Sequence, residues 1–171
     1  MCDEPSPDWL PPLVTIDEYG GDWHRYLDGL YGIFKNEFLE TPVIIDLKPL
    51  FVRRHPTFDG KLGSFWHLLG HEDGQAVPVD FRRHERIRWP KAIILHRGDS
   101  SIKAWSDHDF KGGNPAHERM CLWFNDEYLV VLEERERYVS LVTAYPTDRG
   151  HTRRKLQARF EAAQKAETAD N

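Results

Sequence analysis

The chain has 171 residues, 40% apolar and 12% aromatic, which is enough for one folded domain with its own core and too much for a disordered segment. A net charge of −5 at pH 7 argues against a protein that coats nucleic acid. Two cysteines, Cys2 and Cys121, argue against a disulfide framework, so a reducing, cytoplasmic setting is the expectation. No apolar run approaches the roughly 20 residues that cross a bilayer, and the acidic N-terminus lacks the layout of a signal peptide, so no membrane partner is expected.

Residues 1–15 hold Pro5, Pro7, Pro11 and Pro12 and read as an extended acidic leader. From Trp23 to Leu39, the residues Trp23, Tyr26, Leu27, Leu30, Tyr31, Phe34 and Phe38 recur at spacings of three and four, the stripe of an amphipathic helix that Pro42 stops. The run from Pro42 to Asp46 reads as a first strand. Ser64 is placed to cap a single helical turn ended by Gly70, and Asp80 to cap a helix that Pro90 ends. Ala92-Ile-Ile-Leu-His96 reads as a strand or a buried turn, and Ile102–Trp105 as a strand. After a glycine-bearing loop at 111–115, three apolar runs (119–124, 128–132 and 138–145) joined by short turns predict an antiparallel meander. A last helix from His151 carries Leu156, Phe160 and Ala163 as its buried stripe. The organisation expected is a single α+β domain over 16–165, with a frayed tail at 166–171.

Charge is uneven along the chain. Residues 1–22 contain six acids and no Lys or Arg, whereas basic residues gather at 82–88 and 149–159. Two basic clusters on an acidic protein fit a local phosphate site better than a long binding track. Arg82 and Arg86 share a helical face, with Arg83 and Arg88 close by. Arginine's planar fork suits phosphate, and Glu85 among them is placed to pair with one and fix its geometry. His67, behind Phe65 and Trp66, supplies an imidazole with a pKa of about 6.5 for acid–base work. Its spacing to His71 also invites a metal reading, but Gly70 weakens the helix that reading needs, and neither metal nor cofactor is expected.

Strand spacing puts Thr143 and Tyr145 on one face, and helix spacing puts His151 and Lys155 on one face, with Arg154 beside them. Thr143 suits a phosphate oxygen or developing oxyanion, and Tyr145 a proton donor or stacking surface. No Walker or dinucleotide loop, Cys-x-x-Cys pair, Gly-x-Ser-x-Gly elbow or acidic cluster of a two-metal nuclease occurs.

Phe65-Trp66-His67-Leu68, then Asp80-x-x-Arg83-x-Glu85-Arg86-Ile87-x-Trp89, Tyr128-Leu-Val-Val-Leu132 and Thr143-Ala-Tyr145 before a Lys-bearing helix resemble, in their order, the phage-associated branch of the Barnase–EndoU–Colicin–RelE nuclease superfamily. The resemblance spans roughly residues 40–160. It implies helices ahead of a four-stranded, mainly antiparallel sheet and a C-terminal helix. It also implies a metal-independent RNA endonuclease, often a toxin with an antitoxin or immunity protein as partner.

In that reading a ribose 2′-hydroxyl attacks the adjacent phosphate and leaves a 2′,3′-cyclic phosphate. His67 is base or acid. Arg83 and Arg86 stabilise the phosphate, Glu85 orients an arginine or acts as the alternative base, and Thr143 and Tyr145 position the phosphate and leaving oxygen. Arg82, Arg88, His151, Arg154 and Lys155 would hold the rest of the RNA, for which tRNA or ribosome-associated RNA is the expected form. The rivals are a non-catalytic module binding nucleic acid or protein, a structural or inhibitory protein acting through its acidic N-terminus, and a metallohydrolase built on His67 and His71.

Overall fold

The computed structural model describes residues 6–71, 79–107 and 118–170. The described part of the proline-rich leader is not detached. Val14 is buried, and its amide donates to the Glu85 carbonyl at 2.9 Å while its carbonyl accepts from the Tyr26 hydroxyl at 2.8 Å. Trp9 stacks on His96 with ring centroids 4.6 Å apart and donates to Asp99 at 3.0 Å, and Trp89 donates to the Pro11 carbonyl at 3.1 Å. Proline removes donors from this segment but leaves its carbonyls, which the indole and phenol use. A single 3₁₀ turn at Ile16–Tyr19 leads into the first helix.

Helix α1 (Trp23–Lys35) starts at Asp22, whose side chain accepts from the Arg25 amide at 2.9 Å, and passes into a π turn at Asn36–Glu40. Its stripe of Tyr26, Leu27, Leu30 and Phe34 is buried, continued by Phe38. Strands β1 (Ile44–Ile45) and β2 (Lys48–Phe51) form a tight hairpin, followed by a separate hairpin of β3 (Thr57–Phe58) and β4 (Lys61–Leu62). Helices α2 (Gly63–Leu68), α3 (Phe81–Glu85) and α4 (Trp89–Leu95) come next. Then follow β5 (Ile102–Asp107), β6 (Arg119–Phe124), β7 (Tyr128–Glu134), β8 (Val139–Pro146) and α5 (Gly150–Ala169). The predicted glycine-bearing loop at 111–115 lies outside the described residues.

The α+β class stands, but the sheet has six strands rather than the expected four, in the order β1-β2-β8-β7-β6-β5. The additional pair enters because β2 lies parallel to β8, Leu50 opposite Val139 and Phe51 opposite Ser140. Its hairpin turns at Asp46 and Leu47, with φ of 48° and 70°. Sequences usually mark such a turn with Asn-Gly, and here that signal is absent. A second difference concerns Pro90, which does not end the helix begun at Asp80. It sits in the first turn of α4, where its missing N–H costs nothing, so 92–96 is helical rather than a strand or turn. Nor is Ser64 the cap of α2: Leu62 holds that position, and the Ser64 hydroxyl makes no hydrogen bond among the described residues. Helix α5 continues to Ala169, past the predicted fraying point.

The central strands are buried on both faces, which is why they read as unbroken apolar runs. One face (Leu122, Phe124, Tyr128, Val130, Leu132, Leu141, Ala144) packs on α1, α2 and α4. The other (Trp105, Cys121, Trp123, Leu129, Val131) packs on Leu156, Phe160 and Ala163 of α5. Lys103 reaches Gln157 at 2.9 Å and Arg159 reaches Asp107 at 3.1 Å, pinning α5 along β5. Cys121 is fully buried; burial above all, with Asp107 adding to it, pushes its thiol up to about 12, in keeping with a small core hydrophobe. A bulge in β8, with Val131 opposite Thr143 but Leu132 opposite Leu141, leaves Thr143 and Tyr145 together on the α5 face. Among the described residues no helix is long and apolar enough to cross a membrane.

Candidate functional site

Helix α2 ends in a Schellman motif: the Gly70 amide donates to the His67 carbonyl at 3.0 Å and the His71 amide to the Trp66 carbonyl at 2.9 Å. Gly70 stands at φ +82°, as the motif requires. An added Cβ would lie 2.9 Å from Cδ of Arg83, so the arginine side chain would have to shift to admit one. The motif's usual contact between its last residue and the helix is made here by His71, whose ring centroid is 5.3 Å from that of Trp66.

The end of α2 thereby meets α3 through two neighbouring pairs, Gly70 with Arg83 and His71 with His84. Asp80 caps α3, accepting from the Arg82 amide at 3.1 Å. One turn on, the His84 Nδ1 lies 2.8 Å from the Asp80 carbonyl and can only donate to it. Its Nε2 therefore carries a lone pair, and the Nε2 of His71, 3.3 Å away, donates to it. Both rings are buried. Burial, with the neighbouring His71 and Arg83 charges adding to it, pulls His84 down to about 4 against the opposing pull of the Asp80 carbonyl, so it is neutral at pH 7.

Arg83 reaches from this junction to the end of β8. Its aliphatic chain crosses Gly70, and its guanidinium lies 5.5 Å from the Tyr145 ring centroid at the end of β8. The guanidinium has no carboxylate partner among the described residues. Burial raises the Tyr145 phenol, with Cys121 adding and Arg83 and Arg159 opposing, so it stays protonated and able to donate near neutrality. Thr143 is half-buried, two residues back on the same face. The structure thus sets the Arg83 guanidinium against Tyr145, with Thr143 on the same face of β8 as Tyr145.

The other predicted residues divide. Arg82 is engaged by carboxylates on both sides: Asp80 in two-pronged fashion, at 2.9 and 3.0 Å, and Asp148 of the loop before α5. Burial pushes the Asp80 carboxyl up, but the Arg82 hydrogen bond and charge outweigh this and hold it below its ordinary value. Arg82 therefore ties α3 to the start of α5 and brings the two basic clusters together. Arg86 covers Trp89, 4.7 Å from its centroid, and donates to the Arg82 carbonyl at 3.2 Å. Glu85 is half-buried near Tyr26, whose phenol is raised by burial first and then by the Glu85 charge. Arg88 is half-buried before α4. His67 is on the exposed side of α2, because Phe65, Trp66 and Leu68 take the buried side. His151, Arg154 and Lys155 are exposed on the first turns of α5.

Two groups escape the sequence reading. One is the His71–His84 pair, which only the turn at Gly70 brings together. The other is a row of charges across the far end of the same sheet face, where Asp107 is paired with Arg119 and Arg119 with Glu133 in strand register. Arg119, Glu133 and Asp107 are 8%, 5% and 6% exposed, so these are buried charges. Arg119 binds Glu133 at 3.3 Å, Arg135 binds Glu133 as well, and Arg159 binds Asp107 at 3.1 Å. The available signal was a charged residue ending each of three neighbouring apolar runs. Among the described residues no group of three or more His, Cys, Asp or Glu is arranged to hold a metal ion. No protein-family model, curated protein or solved structure matches this chain.

Proposed function

We propose that the protein is an RNA endonuclease that needs no metal and cleaves by attack of a ribose 2′-hydroxyl on the adjacent phosphate, with Arg83 and Tyr145 at its centre. The observation that carries this reading is Arg83: a half-buried guanidinium that lies over Gly70 and against the Tyr145 ring and forms no ion pair with a carboxylate among the described residues. A planar fork without a carboxylate partner among the described residues, near a protonated phenol and a threonine hydroxyl, is the equipment a phosphodiester requires. The resemblance of the motif order to that of the Barnase–EndoU–Colicin–RelE superfamily points to the same chemistry, and with it to a toxin's role and an antitoxin or immunity partner.

In the step proposed, the 2′-oxygen forms a bond to phosphorus as the bond to the 5′-oxygen breaks. The base takes the 2′-hydroxyl proton, and an acid returns one to the leaving 5′-oxygen. Arg83 binds the non-bridging oxygens, Thr143 positions the phosphate, and Tyr145, kept protonated by burial, faces the leaving oxygen. His67 is the group assigned to proton transfer. The products are a 2′,3′-cyclic phosphate and a 5′-hydroxyl.

The test is incubation of the protein with total RNA and tRNA in excess EDTA beside the Arg83→Ala and His67→Ala variants, with end-group analysis of any fragments. Discrete fragments with cyclic-phosphate ends from wild type alone are expected; intact RNA at every protein concentration would remove the catalytic reading. The second reading, a non-catalytic nucleic-acid-binding module, is favoured by the exposed position of His67. Retention of RNA without cleavage, lost in Arg83→Ala, would select it.

A further inference from the structure

Helix α5 lies along β5 and its cluster includes Val142 and Tyr145 of β8, whereas β2 and the start of β8 are uncovered among the described residues. There Phe51 is 49% and Tyr138 37% exposed, and their rings lie 5.1 Å apart at an angle of 57°. Phe51 is in register with Ser140, and alternation puts Tyr138, Ser140, Thr143 and Tyr145 on that same face across the bulge. Ile44, opposite Pro49 in the β1–β2 hairpin, extends the patch and is 53% exposed. Three exposed arginines flank the two rings in sequence: Arg53 and Arg54 just after β2, and Arg137 just before Tyr138. None of the three has a carboxylate partner among the described residues. Of the nearby acids, Glu134 is held by Lys48 at 2.6 Å and Glu136 is exposed.

We infer that this open strip binds single-stranded nucleic acid, with bases on Phe51 and Tyr138 and phosphates on Arg53, Arg54 and Arg137. Two exposed aromatic rings on a sheet face offer a stacking surface that every base can use, and unneutralised arginines beside them attract the backbone. A purely apolar partner would leave those arginines facing nothing of opposite charge, and a duplex would offer no free base faces. The strip is separate from Arg83: seven residues of β8 at about 3.3 Å each place Tyr138 about 23 Å from Tyr145. It runs toward Tyr145 along one face, so a strand held here would lead to that end of the sheet. The inference goes beyond cleavage and does not depend on it.

The test is fluorescence anisotropy with a short labelled 2′-O-methyl oligouridylate, which has no 2′-hydroxyl to attack, so binding is read independently of any nuclease activity. Wild type is expected to bind with a salt-dependent affinity. Phe51→Ala with Tyr138→Ala should weaken binding at least about 10-fold. Phe51→Trp should retain it, as stacking requires. Arg53→Ala with Arg54→Ala should lower the log–log salt slope by about 1.4, two phosphates at about 0.7 each for single strands. All four side chains are exposed, and near-ultraviolet circular dichroism checks that each variant remains folded. Absence of binding at low salt, or binding unaffected by loss of both rings, would overturn the inference. So would a concentration-dependent dimer in sedimentation that the double aromatic variant abolishes, since the strip would then be a contact between copies of the chain.

Discussion

The two ends of the sheet face that carries α5 both collect arginines, and they use them in opposite ways. At the far end, Arg119, Arg135 and Arg159 are matched by Glu133 and Asp107, with Arg119 and both carboxylates buried and the other two arginines half-buried. At the β8 terminus, Arg83 rests on a tyrosine ring and a glycine and forms no ion pair among the described residues. Desolvated charges that neutralise one another hold strands and helix in register. A guanidinium whose donors face no carboxylate keeps its fork for a ligand. An arginine's contribution is therefore set by what it meets, and an arginine count along the sequence cannot divide the two kinds.

The largest effect expected sharpens that division. Arg119→Ala leaves the Glu133 carboxylate buried with one partner fewer, and removing one member of a buried pair costs about 3–5 kcal/mol. Urea denaturation should show that loss, whereas Arg83→Ala should change stability by less than about 1 kcal/mol. Equal losses in the two variants would erase the contrast.

Next in size is a pH effect from His84. Its folded pKa of about 4 lies below the ordinary value of 6.5, so below pH 6.5 the unfolded chain takes up a proton that the folded chain refuses. Its contribution to stability is complete above pH 6.5, shrinks as pH falls, and is gone near pH 4, an interval worth at most about 3 kcal/mol. Denaturation midpoints measured from pH 7 to 4 should fall, and His84→Gln should flatten that slope; an equal slope in the variant would assign it elsewhere.

Gly70→Ala should cost about 1–2 kcal/mol for the left-handed backbone. It should also push Arg83 off the Tyr145 ring and so weaken RNA binding, whereas Asn at position 70 should cost less in backbone strain but displace Arg83 equally. Nucleic-acid affinity separated from the denaturation midpoint across the two variants would show whether Gly70 serves the site as well as the turn. The smallest effect is Arg82→Ala. Arg82 is 45% exposed and its partners are exposed in part, so stability should drop by about 1 kcal/mol or less.

The elements legible in the sequence are those whose burial pattern is regular. Helix α1 carries a stripe at three and four, and β6 and β7 are apolar throughout because both their faces are covered. Strand β2 was not legible: only four residues long, it pairs with a strand almost ninety positions later and follows a turn without glycine. The leader's docking also escaped notice, since it depends on backbone carbonyls that any sequence provides. At the site, the basic stretch at 82–88 and the hydroxyl and phenol of 143 and 145 pointed to Arg83, Thr143 and Tyr145. The same stretch did not distinguish Arg83 from Arg82, which Asp80 and Asp148 occupy. Interest in His67 followed from its aromatic neighbours; those neighbours take the buried side of α2 and turn His67 outward, while the turn at Gly70 sends His71 inward.

The most direct measurement is RNA cleavage in EDTA by wild type, Arg83→Lys and Tyr145→Phe at matched folding stability. Lysine keeps the charge but not the fork, and phenylalanine keeps the ring but not the proton, so both should cleave at least about 10-fold more slowly while their denaturation midpoints stay close to wild type. Wild-type cleavage rates in both variants would contradict the assignment of Arg83 and Tyr145 as the phosphate site.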